Sequence, residues 1–306
     1  MDNKLNVTYI TIGGYVELNK YRYLYFVIMF TAYILIVCTN STLVYLICIH
    51  KNLHEPMYVF IAALLINSVL SSTPIYPKLL TDILSERQII SYSGCLFQWY
   101  FYYSLGASEF LLLAAMSYDR YVSICKPLQY PTIMSRNTVC ILLALAWCLP
   151  AFQFAVQFLL NFNKKICDYT FKGIICNSTL FKLHCVRSSV QNIFGLVIFV
   201  NVIPLPLLFI LFTYTRLFMI AYQSSREVQR KAAQTCLPHL LVLMSFSFFS
   251  AFDVLLLRME TDFPQHLSFV MSLQTIIYHP LLNPLIYGLK MKEIYKHLKR
   301  LFVKIV

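Results

Sequence analysis

Residues 116–130 read MSYDRYVSICKPLQY. They decide the fold because they close an apolar run long enough to cross a membrane. From 95 to 117 the chain holds one charged residue, Glu109. Asp119 and Arg120 then arrive side by side, where a helix would leave the hydrocarbon. An acid and a base so placed partly neutralise each other, and a conformational change can separate them. The pair is a natural latch at a membrane–water boundary.

Outward from this stretch the same character holds. The 306 residues are 59% hydrophobic and 12% charged, whereas a soluble domain carries about 25% charge. Seven apolar runs are long enough for helical spans, which need about 17–25 residues. They cover 24–49, 57–80, 96–117, 139–160, 193–222, 235–257 and 267–289. The expected fold is an all-α membrane protein, a seven-transmembrane helix bundle with a short amphipathic C-terminal helix. Its expected parts are an extracellular tail over 1–23, the seven-span domain over 24–289 and a cytoplasmic helix or tail over 290–306. No internal repeat or long linker is visible, which weighs against transporters built from repeated halves. The first run is too long for a signal-peptide core and lacks a small-x-small cleavage site, so a retained span is expected.

Charge sets the orientation, because positive residues near span ends favour the cytoplasm. With the N-terminus outside, the inner side carries Lys51, Arg120, Lys126, Arg136, Arg216, Arg226, Arg230, Lys231 and six more from Lys290 to Lys304. The outer side carries Lys4, Lys20, Arg22, Lys78, Arg87 and Arg258; five more in the loop 161–188 count for little because that loop is long. The glycosylation sequons at Asn6 and Asn177 both fall outside, while that at Asn40 lies within a span. The net charge of +12 fits basic loops facing anionic lipid. The lipid bilayer is thus an expected partner and nucleic acid is not. No enzyme is expected: the chain has no phosphate-binding glycine loop, no zinc-spaced His pair and no nucleophile elbow.

Of ten cysteines, Cys38, Cys48, Cys140 and Cys148 lie in apolar runs as small packing residues. Cys125 and Cys236 fall at cytoplasmic ends, where thiols stay reduced. Cys95, Cys167, Cys176 and Cys185 are external, an even number that points to two bridges with three pairings open. Spacing alone does not choose among them.

The stretch 116–130 resembles the Asp-Arg-Tyr segment of rhodopsin-like G-protein-coupled receptors and, in its longer form, that of odorant receptors. Leu53-His54-Glu55-Pro56-Met57-Tyr58 is similar to the start of helix 2 in that branch. The segment 231–240, KAAQTCLPHL, resembles the start of helix 6, and Asn283-Pro284-Leu285-Ile286-Tyr287-Gly288 the helix 7 motif. Asn40 and Trp147 match the polar and aromatic positions of helices 1 and 4. The resemblance covers nearly the whole chain. It implies bridges Cys95–Cys176 and Cys167–Cys185, a small-molecule odorant as ligand, and a heterotrimeric, olfactory stimulatory G protein as partner, acting through cyclic AMP. The implied location is the plasma membrane of olfactory cilia. The Glu-Pro-Met-Tyr and Leu-Pro-His-Leu variants look like those of fish odorant receptors, which implies water-borne ligands.

The resemblance also places candidate residues. The switch set is Asp119, Arg120, Tyr121, Pro127, Tyr214, His239, Asn283, Pro284 and Tyr287. His239 reads equally well as a polar residue at an interface. Pro284 removes a backbone hydrogen bond inside a span and creates a flexible point. The pocket is expected between the outer halves of helices 3, 5, 6 and 7, with Tyr102, Tyr103, Gly106, Ala107, Phe199, Val202, Ser250, Asp253 and Leu273 as candidates. Asn40, Ser68 and Glu109 form the expected polar core. Glu109 lies eleven residues, about three turns, before Arg120 on roughly the same face. In the family this position lines a cavity that can hold sodium together with an Asp of helix 2. Here Ser68 stands at the Asp position, and a lone carboxylate is a weaker cation site, so no cofactor and no metal is expected. Glu109 is expected to be protonated or hydrogen-bonded to Asn283. Phe246-Ser247-Phe248 replaces the family's aromatic-Tyr-Gly motif, so no role is carried over from that Tyr. Beyond Gly288, Met291, Ile294, Leu298, Leu301, Phe302 and Ile305 recur at helical spacing, as in a helix lying on the inner membrane surface.

Overall fold

A computed structural model of the chain describes residues 8–186, 188–224, 226, 229–230, 236–237, 239–248, 250 and 264–305. The first span is α1, Leu18–Ile49; its 32 residues run about 48 Å at the helical rise. It starts six residues ahead of the apolar run expected from 24. The second span is two helices, α2 (Pro56–Ser72) and α3 (Tyr76–Leu84). The sequence predicts one helix over 57–80, but Pro74 and Pro77 withhold two N–H donors at the joint. The third span, α4 (Tyr92–Cys125), is capped by Ser91, whose hydroxyl accepts from Gly94 N at 3.1 Å.

A short helix α5 (Tyr130–Ile133) precedes the fourth span, α6 (Arg136–Phe162). The fifth run also divides, into α7 (Ser189–Val202) and α8 (Pro204–Tyr222), because Pro204 ends the hydrogen-bond ladder at Ile203. The described part of the sixth span is α9, His239–Phe248. The seventh is α10 (Gln265–Lys290), and α11 (Lys292–Ile305) follows Met291, an extended residue. Together these helices make a seven-helix bundle.

Among the described residues, Leu18–Ile49, Pro56–Leu84, Arg136–Phe162 and Ser189–Tyr222 are apolar enough to cross a bilayer by composition alone. Helices α4 and α10 are more polar for a physical reason. They hold the buried Ser104, Ser108, Glu109 and Asp119, and His279 and Asn283. α4 packs against α2, α6 and α8 and sits at the centre. The outer faces of α1, α6 and α8 expose Val27, Phe30, Ile141, Phe152, Leu208 and Phe212. Such a belt suits lipid and would be a liability in water. Met291 and, on α11, Ile294 are buried, and α11 packs against α1 and α10. There the His50 and His297 rings lie 3.7 Å apart.

The sequence reading missed a small sheet at one end of the bundle. Its strands are β1 (Tyr9–Ile12), β2 (Ile89–Ser91) and β3 (Thr170–Phe171), in the order β2-β1-β3. β1 runs antiparallel to β2, with Ile10 opposite Ile90, and parallel to β3, with Thr11 opposite Thr170. Ile10 and Ile12 point inward and are buried. Gln265 Nε2 donates to the carbonyls of Gly13 and Tyr15 at 3.0 and 2.9 Å and ties the strand to α10.

Gly14 passes so close to Gly173 that a Cβ would collide with its backbone. Gly14→Ala is therefore expected to destabilise the outer sheet by about 1–3 kcal/mol. Thermal melting in detergent, with amide exchange at 9–12 as the local reporter, checks this; unchanged protection there would contradict it.

Candidate functional site

Two disulfides shape the outer end. Cys95 joins Cys176 and Cys167 joins Cys185, with Cα separations of 5.4 and 4.9 Å. This is the pairing implied by the resemblance. The first bridge pins the long loop to the top of α4, and one face of that helix completes the docking. Gln98 Oε1 accepts from Cys176 N at 2.9 Å, Trp99 Nε1 donates to Ser178 Oγ at 3.3 Å, and Tyr103 OH accepts from Ser178 N at 3.0 Å. Residues 95, 98, 99 and 103 recur at three and four, so all four reach the loop from one side. Tyr92 OH donates to Asn161 O at 2.9 Å and lies 2.8 Å from His184 Nε2. A hydroxyl has one proton, so the His184 ring must donate to it from Nε2.

Under this lid lies a cavity of about 810 Å³, within the range of small-molecule sites. Tyr102, Tyr103, Gly106, Ala107, Phe199, Val202 and Ser250 line it, as the sequence predicts. A Cβ on Gly106 would meet nothing within 4 Å, so the missing side chain opens room. Leu273 is not among the lining residues. It packs instead on the cluster of Met29, Ile36, Tyr76 and Phe269, while Thr275, Ile276 and His279 face the cavity. Asp253 lies outside the described residues. The sequence reading missed Phe110, Gln157, Asn161 and His184. Gln157 and Asn161 had a signal: two amides one turn apart in an apolar helix.

Below the cavity a polar core ties the helices. Asn283 Nδ2 donates to Ser68 Oγ at 3.0 Å and to Glu109 Oε1 at 2.8 Å. His279 Nδ1 lies 3.5 Å from the same carboxylate oxygen. Two prolines in α10 leave carbonyls without their i+4 donors, and neighbouring helices supply replacements. Pro284 frees the carbonyl of Pro280, which accepts from Asn40 Nδ2 at 3.0 Å. Pro280 frees that of Ile276, which accepts from Tyr76 OH at 3.1 Å. Trp147 Nε1 donates to Asn67 Oδ1 at 3.2 Å, and Asn67 Nδ2 to Leu105 O at 3.0 Å. His239 Nδ1 sits 3.3 Å from Tyr287 OH.

At the end of α4 away from the lid, Arg120 Nε donates to Asp119 Oδ2 at 2.9 Å, and Nη2 reaches the same oxygen. Tyr130 OH donates to Asp119 Oδ1 at 2.8 Å. Pro127 opens the turn, Pro127–Gln129, that carries Tyr130 to this position. Burial, and then the Asp119 charge, hold the Tyr130 phenol above its ordinary range, so it remains a donor. Tyr121 packs part-buried beside the core, and Tyr214 is buried on α8.

A sequence model of the family described as Olfactory receptor matches residues 29–305. Olfactory receptor 5F1 of Homo sapiens is 36% identical over 286 residues, covering 92% of this chain and 89% of that one. Olfactory receptor 4B13 of Mus musculus is 33% identical over 301 residues, covering 96% and 95%. The chain belongs to the olfactory receptor family. It is therefore a multi-pass membrane receptor and not an enzyme.

In this olfactory receptor Asn177 also has a structural place in the long loop. Asn177, expected as a glycan acceptor, is buried under the lid. Its Oδ1 accepts from Thr179 N at 3.0 Å and from Thr179 Oγ1 at 2.6 Å, capping the helical turn Ser178–Leu183. Asn6 lies outside the described residues.

The latch and the lid each yield a test. Tyr130→Phe leaves Asp119 without a bond of the charge-assisted class, about 1.5–3 kcal/mol. The melting temperature of the purified receptor is expected to fall by several degrees; an unchanged value would show that the bond does not stabilise this end of α4. Burial, and then Lys164, lower the affinity of the His184 ring for a proton below the ordinary 6.5. The unfolded lid then binds more protons, so stability is complete above about pH 6.5 and falls as the pH drops below it. Melting of the purified receptor between pH 7.5 and 5.5 should show this slope, and His184→Gln should flatten it.

Proposed function

We propose that this receptor binds small organic odorants in the cavity beneath the lid and activates a stimulatory heterotrimeric G protein, raising cyclic AMP. The observation that carries this reading is the continuity of cavity, polar core and latch along α4. Tyr103 and Gly106 meet the cavity, Glu109 meets Asn283, and Asp119–Arg120 meets Tyr130 on one helix. A ligand that favours one packing of α4 and α10 shifts the population of latch states at the other end. Arg120, with Tyr121, Tyr214 and the His239–Tyr287 contact, forms the face that the G protein meets. The chain sits in the plasma membrane of olfactory cilia, N-terminus outside, with 1–23 as external tail, 24–289 as receptor domain and 290–306 as inner-surface helix. Asn6 carries the glycan. The loop and helix 6 variants resemble those of fish receptors, which supports water-borne ligands.

Cells expressing the receptor with the olfactory G protein, exposed to water-soluble and volatile odorants, test this. A dose-dependent rise in cyclic AMP is expected. Arg120→Ala should cut it at least tenfold at normal surface level, and Gly106→Leu should remove it by filling the cavity. A full response in either variant would sink the corresponding part.

A further inference from the structure

The floor of the cavity is chemically unlike its walls. Glu109 and His279 both line it, as do Phe110 and Phe246. Glu109 is 3% exposed, and an ionised carboxylate so placed needs a cation or several donors. Asn283 gives one hydrogen bond, and no Lys or Arg among the described residues reaches the carboxylate. Among the described residues its one ion-pair candidate is His279, which carries charge only when protonated. Asn283 spends both N–H groups on Ser68 and Glu109, and its Oδ1 has no partner among the described residues. The cluster is thus rich in acceptors and short of donors. Two aromatic rings share this floor: Phe110 and Phe246 are 4.5 Å apart, and Phe246 and His279 meet edge to face at 4.2 Å. A carboxylate in an aromatic-lined cavity is a setting that attracts a cation. Lys182, the other charged residue described in the lining, belongs to the lid at the opposite end.

We infer that the floor at Glu109 and His279 receives the ammonium group of an alkylamine ligand, its apolar tail rising past Gly106 toward Tyr102, Phe199 and Val202. An ammonium brings three donors and no acceptor, the complement of this cluster. A neutral His279 then flanks the site, and a protonated one competes with the ligand. The inference rests on the cavity being the ligand site.

The test uses the purified full-length receptor in lipid nanodiscs, with hexylamine as probe and hexanol, hexanoate and sodium chloride as matched controls. Hexylamine is expected to raise the melting temperature by several degrees in wild type and by less than a third of that in Glu109→Gln. The amide of that variant keeps an oxygen for Asn283, and hexanol should act equally on both proteins. Should Glu109→Gln not fold, Glu109→Asp draws the carboxylate back by one methylene. It should bind hexylamine more weakly and shift the optimum to longer amines. Equal shifts in variant and wild type, no shift with any amine from butyl to decyl, or stabilisation by sodium chloride alone would each overturn the inference. An Glu109-dependent shift without any rise in cyclic AMP would leave it standing and count against the signalling reading.

Discussion

Pro280 and Pro284 impose the constraint on which the rest of the bundle depends. Each removes a donor inside α10 and leaves a carbonyl that lipid cannot satisfy. The repairs come from Tyr76 on α3 and Asn40 on α1, which fixes the rotation and depth of both helices against the seventh. Asn283, between the prolines, then meets Ser68 and Glu109 and brings α2 and α4 into the same set. Four spans are thereby registered through a handful of side chains, in a medium that supplies little driving force between apolar helices.

The central helix couples this core to both surfaces. Its outer end bears Cys95, Gln98, Trp99 and Tyr103, which hold the lid. Its inner end bears Asp119 and Arg120 under the Tyr130 phenol. A rigid helix that touches lid, cavity and latch can transmit a small displacement, provided the inner contacts have a second arrangement. Asp119 has two partners among the described residues, and losing one leaves the other.

How far the sequence could be read follows from where the determining interactions lie. Span positions were legible because apolar length is local, and Ser68 was located by counting from Pro56. The resemblance, and not the spacing, supplied the disulfide pairing. The breaks at 73–75 and at Ile203 were encoded in Pro74, Pro77 and Pro204 but hidden by unbroken hydropathy. Leu273 was misplaced because a helix in the bundle is apolar on more than one face, and only packing tells which face meets the cavity. The role of Tyr130 depends on a turn opened by Pro127, and that of Asn177 on its burial; neither pattern is visible in a string. Strand β1 was too short, at four residues, to stand out against the helical pattern.

That strand has a consequence for how the molecule is assembled. The middle strand of the outer sheet comes from the start of the chain, while its neighbours come from about 80 and 160 residues later. Pairing over such distances is slow, because the entropy of closing the loop is lost before the contact returns anything. During synthesis the segment cannot take its central place until the long loop, which carries β3, has been made. The roof is therefore complete only once the fourth span and the start of the long loop have been made, and any cargo fused ahead of Tyr9 is carried to its central strand.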